Sequence, residues 1–141
     1  MRDPVQLSLS VAGSLAGIGR VTEEFESFSS SHELPDLVRR SIQVVLDELL
    51  SNTIRCGQVG DRETTIEVGF RLDAETIRVE IVDDGTPFNP LARERPDTTL
   101  PLEMRPVGGL GVMIVRHLVD EIAYDCEGGR NRVLLGRRLD V

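Results

Sequence analysis

The sequence predicts an α+β fold in which a single layer of helices covers one face of a sheet. The predicted elements follow the order strand, helix, helix, strand, strand, long loop, helix, strand. Helices and strands are therefore partly segregated along the chain, which favours a two-layer α/β sandwich over a doubly wound parallel sheet. A length of 141 residues suits one domain with a sizeable core. We therefore expect residues 1–141 to form a single domain.

Strands are predicted where apolar and polar residues alternate at a period of two. Only three residues, 73–75, join the two middle strands, which predicts a hairpin. The four predicted strands are residues 5–11, Thr64 to Leu72, Thr76 to Asp83, and a last strand through Val133, Leu135 and Leu139.

Helices are predicted where apolar residues recur every three to four positions. The first runs from about Leu15 to Phe28, and the second starts near Pro35 and stops at Gly57, a glycine suited to a C-cap. The third follows a glycine cluster at 108–111, and its apolar spacing extends as far as Ile122.

Composition excludes several function classes. The chain has 24 acidic and 16 basic residues and a net charge of −8, which argues against a nucleic-acid partner. Every basic residue is an arginine, so a P-loop lysine and a Schiff-base lysine are both excluded. The longest nearly apolar run, residues 107–115, is too short to span a membrane. Cys56 and Cys126 lack the CxxC spacing and indicate free thiols, so we expect a cytoplasmic protein.

Glu48 and Asn52 form the first candidate site, on the second predicted helix. They lie one turn apart, about 40° from each other around the helix axis, at the flank of the apolar stripe. A carboxylate there could accept a proton, and the amide oxygen could ligate a hard cation such as Mg²⁺. Taken alone, the pair is better explained by an ordinary hydrogen bond between positions i and i+4 on a boundary face.

Asp83 and Gly85 form the second candidate site, at the end of a predicted strand. The strand register places Asp83 on the core side, where a carboxylate needs a hydrogen-bond donor such as the exocyclic amine of a purine. Gly85 would let the backbone pass close to a flat ligand. The alternative is an Asp-Gly hairpin turn, although no alternating strand follows directly.

The third candidate is the segment Gly108-Gly109-Leu110-Gly111, which opens a predicted helix. Unpaired N–H groups at a helix N-terminus attract phosphates, whereas a tight loop would use the same glycines for the turn alone. Five of the seven prolines fall between residues 86 and 107, and three arginines lie among them: Arg93, Arg95 and Arg105. A loop of this length inside a compact domain is usually functional or disordered.

Along the chain the three candidate sites follow one another in the stretches VVLDELLSNTIRCG, VDDGTPFNP and GGLGVMIVRHLVDEIAYD. In this order the sequence resembles the GHKL (Bergerat-fold) ATPases, the superfamily of gyrase and the histidine kinases. Within it the chain is most similar to the small bacterial anti-sigma-factor serine kinases, also called switch-protein kinases. The resemblance covers nearly the whole chain and is weakest before Pro35. It implies a mixed, mostly antiparallel sheet with about three helices on one face.

The resemblance also implies a role for each matching residue. Glu48 matches the general base and Asn52 the ligand that holds Mg²⁺ against the triphosphate of ATP. Asp83 matches the aspartate that binds the adenine amino group, and Gly85 the glycine beside the adenine. The segment Gly109, Leu110 and Gly111 matches the backbone that approaches the phosphates. Residues 86–108 match the ATP lid, whose arginines are candidates for γ-phosphate contact.

The function implied by the resemblance is an ATP- and Mg²⁺-dependent protein-serine kinase that takes part in transcription regulation. Its phosphorylation substrate would be a small anti-sigma-factor antagonist, and in the alternative complex it would bind a sigma factor. A homodimer is expected, with no direct contact to nucleic acid or membrane. The alternative is a nucleotide-gated binding module of the same fold that sequesters a regulator without kinase activity.

Overall fold

The computed structural model describes residues 3–56, 62–92 and 109–140, and within them the α+β sandwich is confirmed. Three helices and five strands form, and a single 3-10 turn at Pro90–Ala92 follows the third strand. The elements are β1 Val5–Ala12, α1 Leu15–Ser31, α2 Asp36–Cys56, β2 Thr65–Leu72, β3 Thr76–Asp83, α3 Gly109–Leu118, β4 Glu121–Glu127 and β5 Arg130–Arg138.

The five strands form one sheet in the order β1-β2-β3-β5-β4. Each of the four pairings is antiparallel, so within the described residues the sheet is wholly antiparallel rather than mixed. The last strand in the sequence, β5, therefore lies between β3 and β4. This pairing sets Asn131 directly opposite Asp83, which brings the beginning of β5 to the end of β3.

The core lies between the helices and the alternate inward residues of the strands. Phe25 of α1 stacks on Phe70 of β2 with the ring centroids 5.2 Å apart, and α2 contributes the fully buried Ile42, Leu46 and Leu50. The apolar stripe of α2 that the sequence predicts thus faces the sheet, and its burial supplies the main driving force for folding. None of the helices in the described ranges is long and apolar enough to cross a membrane.

The opposite face of the sheet carries charged side chains joined in cross-strand ion pairs. Arg132 of β5 contacts Glu80 of β3 at 2.8 Å, and Arg130 contacts Glu67 of β2 at 3.5 Å. These side chains are about half exposed, so each pair contributes little to stability. The helices therefore cover one face of the sheet, and charged side chains in contact with water cover the other.

The strand β4 was not predicted, and its residues explain why. Ile122 continues the apolar spacing of α3, but it lies in β4, where it is half-buried and alternates with exposed neighbours. A short apolar pattern of this kind fits both periods. The turn between β4 and β5 is made by Gly128 and Gly129, whose φ angles of 62° and 76° suit a tight hairpin.

Helix α1 extends to Ser31, three residues past the predicted Phe28. The predicted C-cap of α2, Gly57, lies outside the described residues.

Candidate functional site

Helix α2 presents Glu48 and Asn52 one turn apart at the edge of the core. Glu48 is half-buried and the side chain of Asn52 is buried, with 1% exposed. The Asn52 oxygen Oδ1 accepts a hydrogen bond from Nη2 of Arg55, while its nitrogen Nδ2 is buried with no hydrogen-bond partner within the described part of the chain. An unsatisfied buried donor costs about 1–3 kcal/mol, so this amide points to a site that needs a ligand or water.

Strand β3 ends on Asp83, whose carboxylate faces the core side as its register predicts. The residue is only 7% exposed. Its Oδ1 accepts hydrogen bonds from the backbone N–H of Gly85 at 2.9 Å and from Nδ2 of Asn131 at 3.0 Å. The two donors offset the cost of burying the carboxylate. Gly85 is itself buried, which keeps the chain after β3 close to the cavity described below.

Asn131 is a site residue that sequence reasoning missed. Its Nδ2 also donates to the backbone oxygen of Thr86 at 3.0 Å, and its Oδ1 accepts from the backbone N–H of Phe88 at 3.1 Å and from the Tyr124 hydroxyl. One buried carboxamide therefore joins Asp83 to the segment that follows it. The available signal was its register: Asn131 occupies an inward position two residues before Val133, where a polar residue needs partners.

Tyr124 completes this group of hydrogen bonds from the neighbouring strand β4. Burial is the main cause that raises the pKa of its hydroxyl, and the adjacent Cys126 raises the pKa further. The hydroxyl is thus neutral at physiological pH and able to donate its proton to Asn131.

Helix α3 places Gly111 directly against the carboxylate of Glu48. A Cβ atom built on Gly111 would lie 1.8 Å from Oε1 and 2.1 Å from Cδ of Glu48, so a larger residue would require Glu48 to move. Gly109, Leu110 and Gly111 form the first turn of α3, where backbone N–H groups lack intrahelical partners. The structure thus brings the carboxylate to the end of the helix that can bind an anion.

A cleft is lined by residues of α2, β3, β4 and β5 and by the segment that follows β3. Asn52, Asp83 and Asn131 provide polar groups on its wall. Its apolar lining suits a flat aromatic ring and comes from Leu49, Ile81, Phe88, Pro90, Tyr124 and Val133. The inward carboxylate and the buried amide, which are predicted from separate stretches of the sequence, therefore line the same cleft.

The proline-rich segment is described only at its beginning. The segment that follows β3 leads into the 3-10 turn at Pro90–Ala92. Nη2 of Arg116 on α3 donates a hydrogen bond to the backbone oxygen of Leu91 at 3.2 Å. This bond ties the start of the segment to the helix that carries Gly111. The three candidate arginines, Arg93, Arg95 and Arg105, lie outside the described residues.

These groups fit a magnesium nucleotide. The cleft offers an acceptor for a purine amine at Asp83 and an amide oxygen for a hard cation at Asn52. Outside the cleft lining, the N-terminus of α3, where Gly111 lies against Glu48, offers backbone N–H groups for phosphates. Mg²⁺ commonly binds through one or two protein oxygens together with substrate phosphates, so the single amide oxygen of Asn52 fits this ion. No cluster of three His, Cys, Asp or Glu side chains that could hold a metal occurs in the described ranges.

The fold and the cleft together define a class of ATP-binding α/β sandwich domains, and sequence comparison identifies the family. The profile of the family described as "Histidine kinase-like ATPase domain" matches residues 11–136. The chain belongs to this family, as the GHKL resemblance of its sequence implies.

The curated relatives include proteins named serine-protein kinase RsbW. Those from Listeria monocytogenes and Listeria innocua are each 21% identical to this chain over 138 residues, covering 95% of the chain and 87% of the relative. The predicted similarity to bacterial serine kinases of this type is therefore confirmed.

Two solved structures share the fold. One contains the RsbU and RsbW domains of Rv1364c from Mycobacterium tuberculosis and superposes with a TM-score of 0.70 at 15% identity. It covers 96% of this chain, while this chain spans about a third, 32%, of that protein. The other is the histidine kinase AdeS of Acinetobacter baumannii, with a TM-score of 0.52 at 16% identity over 94% of this chain and 68% of that one.

Proposed function

We propose that this protein is an ATP-dependent serine kinase that phosphorylates a small anti-sigma-factor antagonist and, in the alternative complex, binds a sigma factor. The observation that carries the proposal is the cleft shared by Asn52 and Asp83, with Glu48 set against the first turn of α3. Membership of an ATPase family and the names of the RsbW relatives support it.

In this proposal the cleft and the N-terminus of α3 each bind one part of ATP. The Asp83 carboxylate accepts a hydrogen bond from the adenine amino group, and the apolar walls hold the ring. Backbone N–H groups of Gly109, Leu110 and Gly111 donate to the phosphates. Mg²⁺ held by the Asn52 oxygen would neutralise phosphate charge.

Glu48 would act as the general base. Its carboxylate takes the proton from the serine hydroxyl of the antagonist while the hydroxyl oxygen bonds to the γ-phosphorus. The bond between that phosphorus and the bridging oxygen would break, with ADP as the leaving group. The phosphoserine adds nearly two negative charges at neutral pH, which can disrupt a complex through repulsion and desolvation. Exchange of partners would follow from this change of charge.

The resemblance also leads to proposals about the cellular location and the oligomeric state of the protein. We propose that the kinase works in the cytoplasm, where Cys126, an exposed free cysteine, would stay reduced. We also propose a homodimer, which analytical ultracentrifugation would detect as a sedimenting species of twice the chain mass.

The base is tested by Glu48→Gln, which removes the proton acceptor and keeps the shape of the side chain. ATP binding measured by calorimetry should persist, while phosphoserine on a candidate antagonist, measured by mass spectrometry with Mg²⁺-ATP, should disappear. Glu24→Gln, at an exposed position of α1, is the matched control and should phosphorylate normally.

Unchanged phosphorylation by Glu48→Gln would overturn the role of Glu48. If the wild-type protein binds ATP and the antagonist but forms no phosphoserine, the chain is the nucleotide-gated binding module instead.

A further inference from the structure

Arg55 lies one turn after Asn52 on α2, and its guanidinium contacts the amide that the proposed function assigns to Mg²⁺. Nη2 of Arg55 donates a hydrogen bond to Oδ1 of Asn52. Arg55 is exposed whereas Asn52 is buried. Within the described residues no carboxylate lies within ion-pair distance of Arg55, and the acceptor that its guanidinium contacts there is the Asn52 oxygen.

This contact fixes which way the Asn52 amide points. A guanidinium offers only donors, so the oxygen of the amide must face Arg55. The nitrogen Nδ2 then points away from Arg55 and is buried with no partner within the described residues. Turning the amide over would set its donor nitrogen against the donors of the guanidinium, so Arg55 holds the amide in this orientation although the buried donor is unsatisfied.

An ordinary surface contact on the same helix looks different. Arg39 reaches back three residues to Asp36 at 3.3 Å, but the Asp36 side chain is 76% exposed. Such a pair is surrounded by water and contributes little. Arg55 instead places a positive charge on a neutral amide that is 1% exposed and lines the cleft.

We propose that the Arg55 guanidinium is a built-in cation that competes with Mg²⁺ for the Asn52 oxygen. This inference rests on the proposed function, since the ion and the guanidinium claim the same atom. Without Mg²⁺ the guanidinium occupies the oxygen and its charge supports the triphosphate. With Mg²⁺ the two positive charges repel, and Arg55 leaves the amide. Arg55 therefore makes nucleotide binding less dependent on the metal than Asn52 alone would.

The test compares ATP affinity in EDTA and in Mg²⁺ by isothermal titration calorimetry. In Arg55→Leu the ratio of the dissociation constant in EDTA to that in Mg²⁺ should rise about tenfold, mainly because binding in EDTA weakens. Arg55→Lys keeps a positive charge and should stay close to the wild-type ratio. Arg40→Leu, at an exposed position of the same helix, is the matched control and should leave the ratio unchanged.

A second measurement needs no nucleotide. The side-chain amide of Asn52, observed by ¹⁵N NMR in EDTA, should shift in Arg55→Leu and stay unchanged in Arg40→Leu. A wild-type ratio together with an unshifted amide in Arg55→Leu would overturn the inference while leaving the kinase proposal intact. Failure of the wild-type chain to bind ATP under both conditions would overturn the proposed function and this inference with it.

Discussion

Asn131 lies directly across the β3–β5 pairing from Asp83 and donates a hydrogen bond of 3.0 Å to Oδ1 of that carboxylate. The same carboxamide contacts the backbone of Thr86 and Phe88. Asp83 and the chain that leaves β3 are thus held by one side chain from a strand 48 residues further along. Asn131 is therefore a positioning residue for the group that would recognise adenine.

Replacing Asn131 with Asp tests this role. The change removes the donor and sets a second carboxylate beside Asp83, where the two negative charges repel. ATP affinity should fall about ten- to a hundredfold, and the preference for ATP over GTP should shrink because Asp83 is no longer oriented. Calorimetric titration with both nucleotides measures this.

Gln6→Glu is the control for that change, since it also replaces an amide with a carboxylate. Gln6 is exposed on the edge strand β1, away from the cleft, so its variant should bind like the wild type. Equal nucleotide preference in Asn131→Asp and the wild type would contradict the positioning role.

Gly111→Ala tests the contact between α3 and Glu48. The added methyl group would occupy the place of the Glu48 carboxylate, so that side chain must move. We expect kcat to fall at least tenfold while the dissociation constant for ATP changes less than threefold, because Glu48 would act on the serine proton rather than on the nucleotide. Single-turnover phosphorylation and calorimetry give the two numbers.

Gly19→Ala serves as the comparison for the glycine change. A Cβ at Gly19, on helix α1, would meet nothing within 4 Å, so this variant should keep full activity and gain roughly 0.5–1 kcal/mol of stability. A similar loss of kcat in both variants would show that the effect of Gly111→Ala is not specific to Glu48.

Asp84 gives a prediction for the dependence of stability on pH. Chiefly because it accepts a hydrogen bond from the Thr65 N–H, and also through Arg62, the pKa of Asp84 lies below its ordinary value. The stabilisation is therefore complete above the ordinary pKa and is lost as the pH falls through the lowered one. Since the side chain is 38% exposed, Asp84→Asn should cost less than about 1 kcal/mol at neutral pH.

Urea unfolding of both proteins across the acidic range measures this. The difference in the free energy of unfolding should vanish once the wild-type carboxyl is protonated. Glu23→Gln, at an exposed position of α1, should show no such difference at either end. A constant gap between Asp84→Asn and the wild type at all pH values would contradict the assignment.

Periodicity was sufficient to predict the helix layer and the inward direction of Asp83. The stripe of α2 and the alternation of β3 are long, and each is confirmed by burial. The strand β4 was missed because its first inward residue, Ile122, continues the spacing of α3, and only pairing with β5 decides between the two periods. Residues 121–127 are a strand because they pair with β5, and a local sequence pattern does not contain that contact.

Residue types and their spacing along the chain were sufficient to predict part of the site. The part that depends on contacts between distant elements could not be predicted. Glu48 and Asn52 share a helix face by spacing alone, so their neighbourhood follows from the sequence. The contact of Glu48 with Gly111 does not, because it depends on how α3 packs on α2. Asn131 was missed for the same reason: its importance comes from a partner across the sheet.

The central position of β5 has a consequence for how the protein is made. Because β5 pairs with β3 on one side and β4 on the other, β4 cannot join the other strands of the sheet until β5 has been translated. The hydrogen bonds that Asn131 makes to Asp83 and to the chain after β3 therefore form only after residue 131 has emerged from the ribosome. Nascent chains that stop earlier would leave the Asp83 carboxylate with one fewer buried donor.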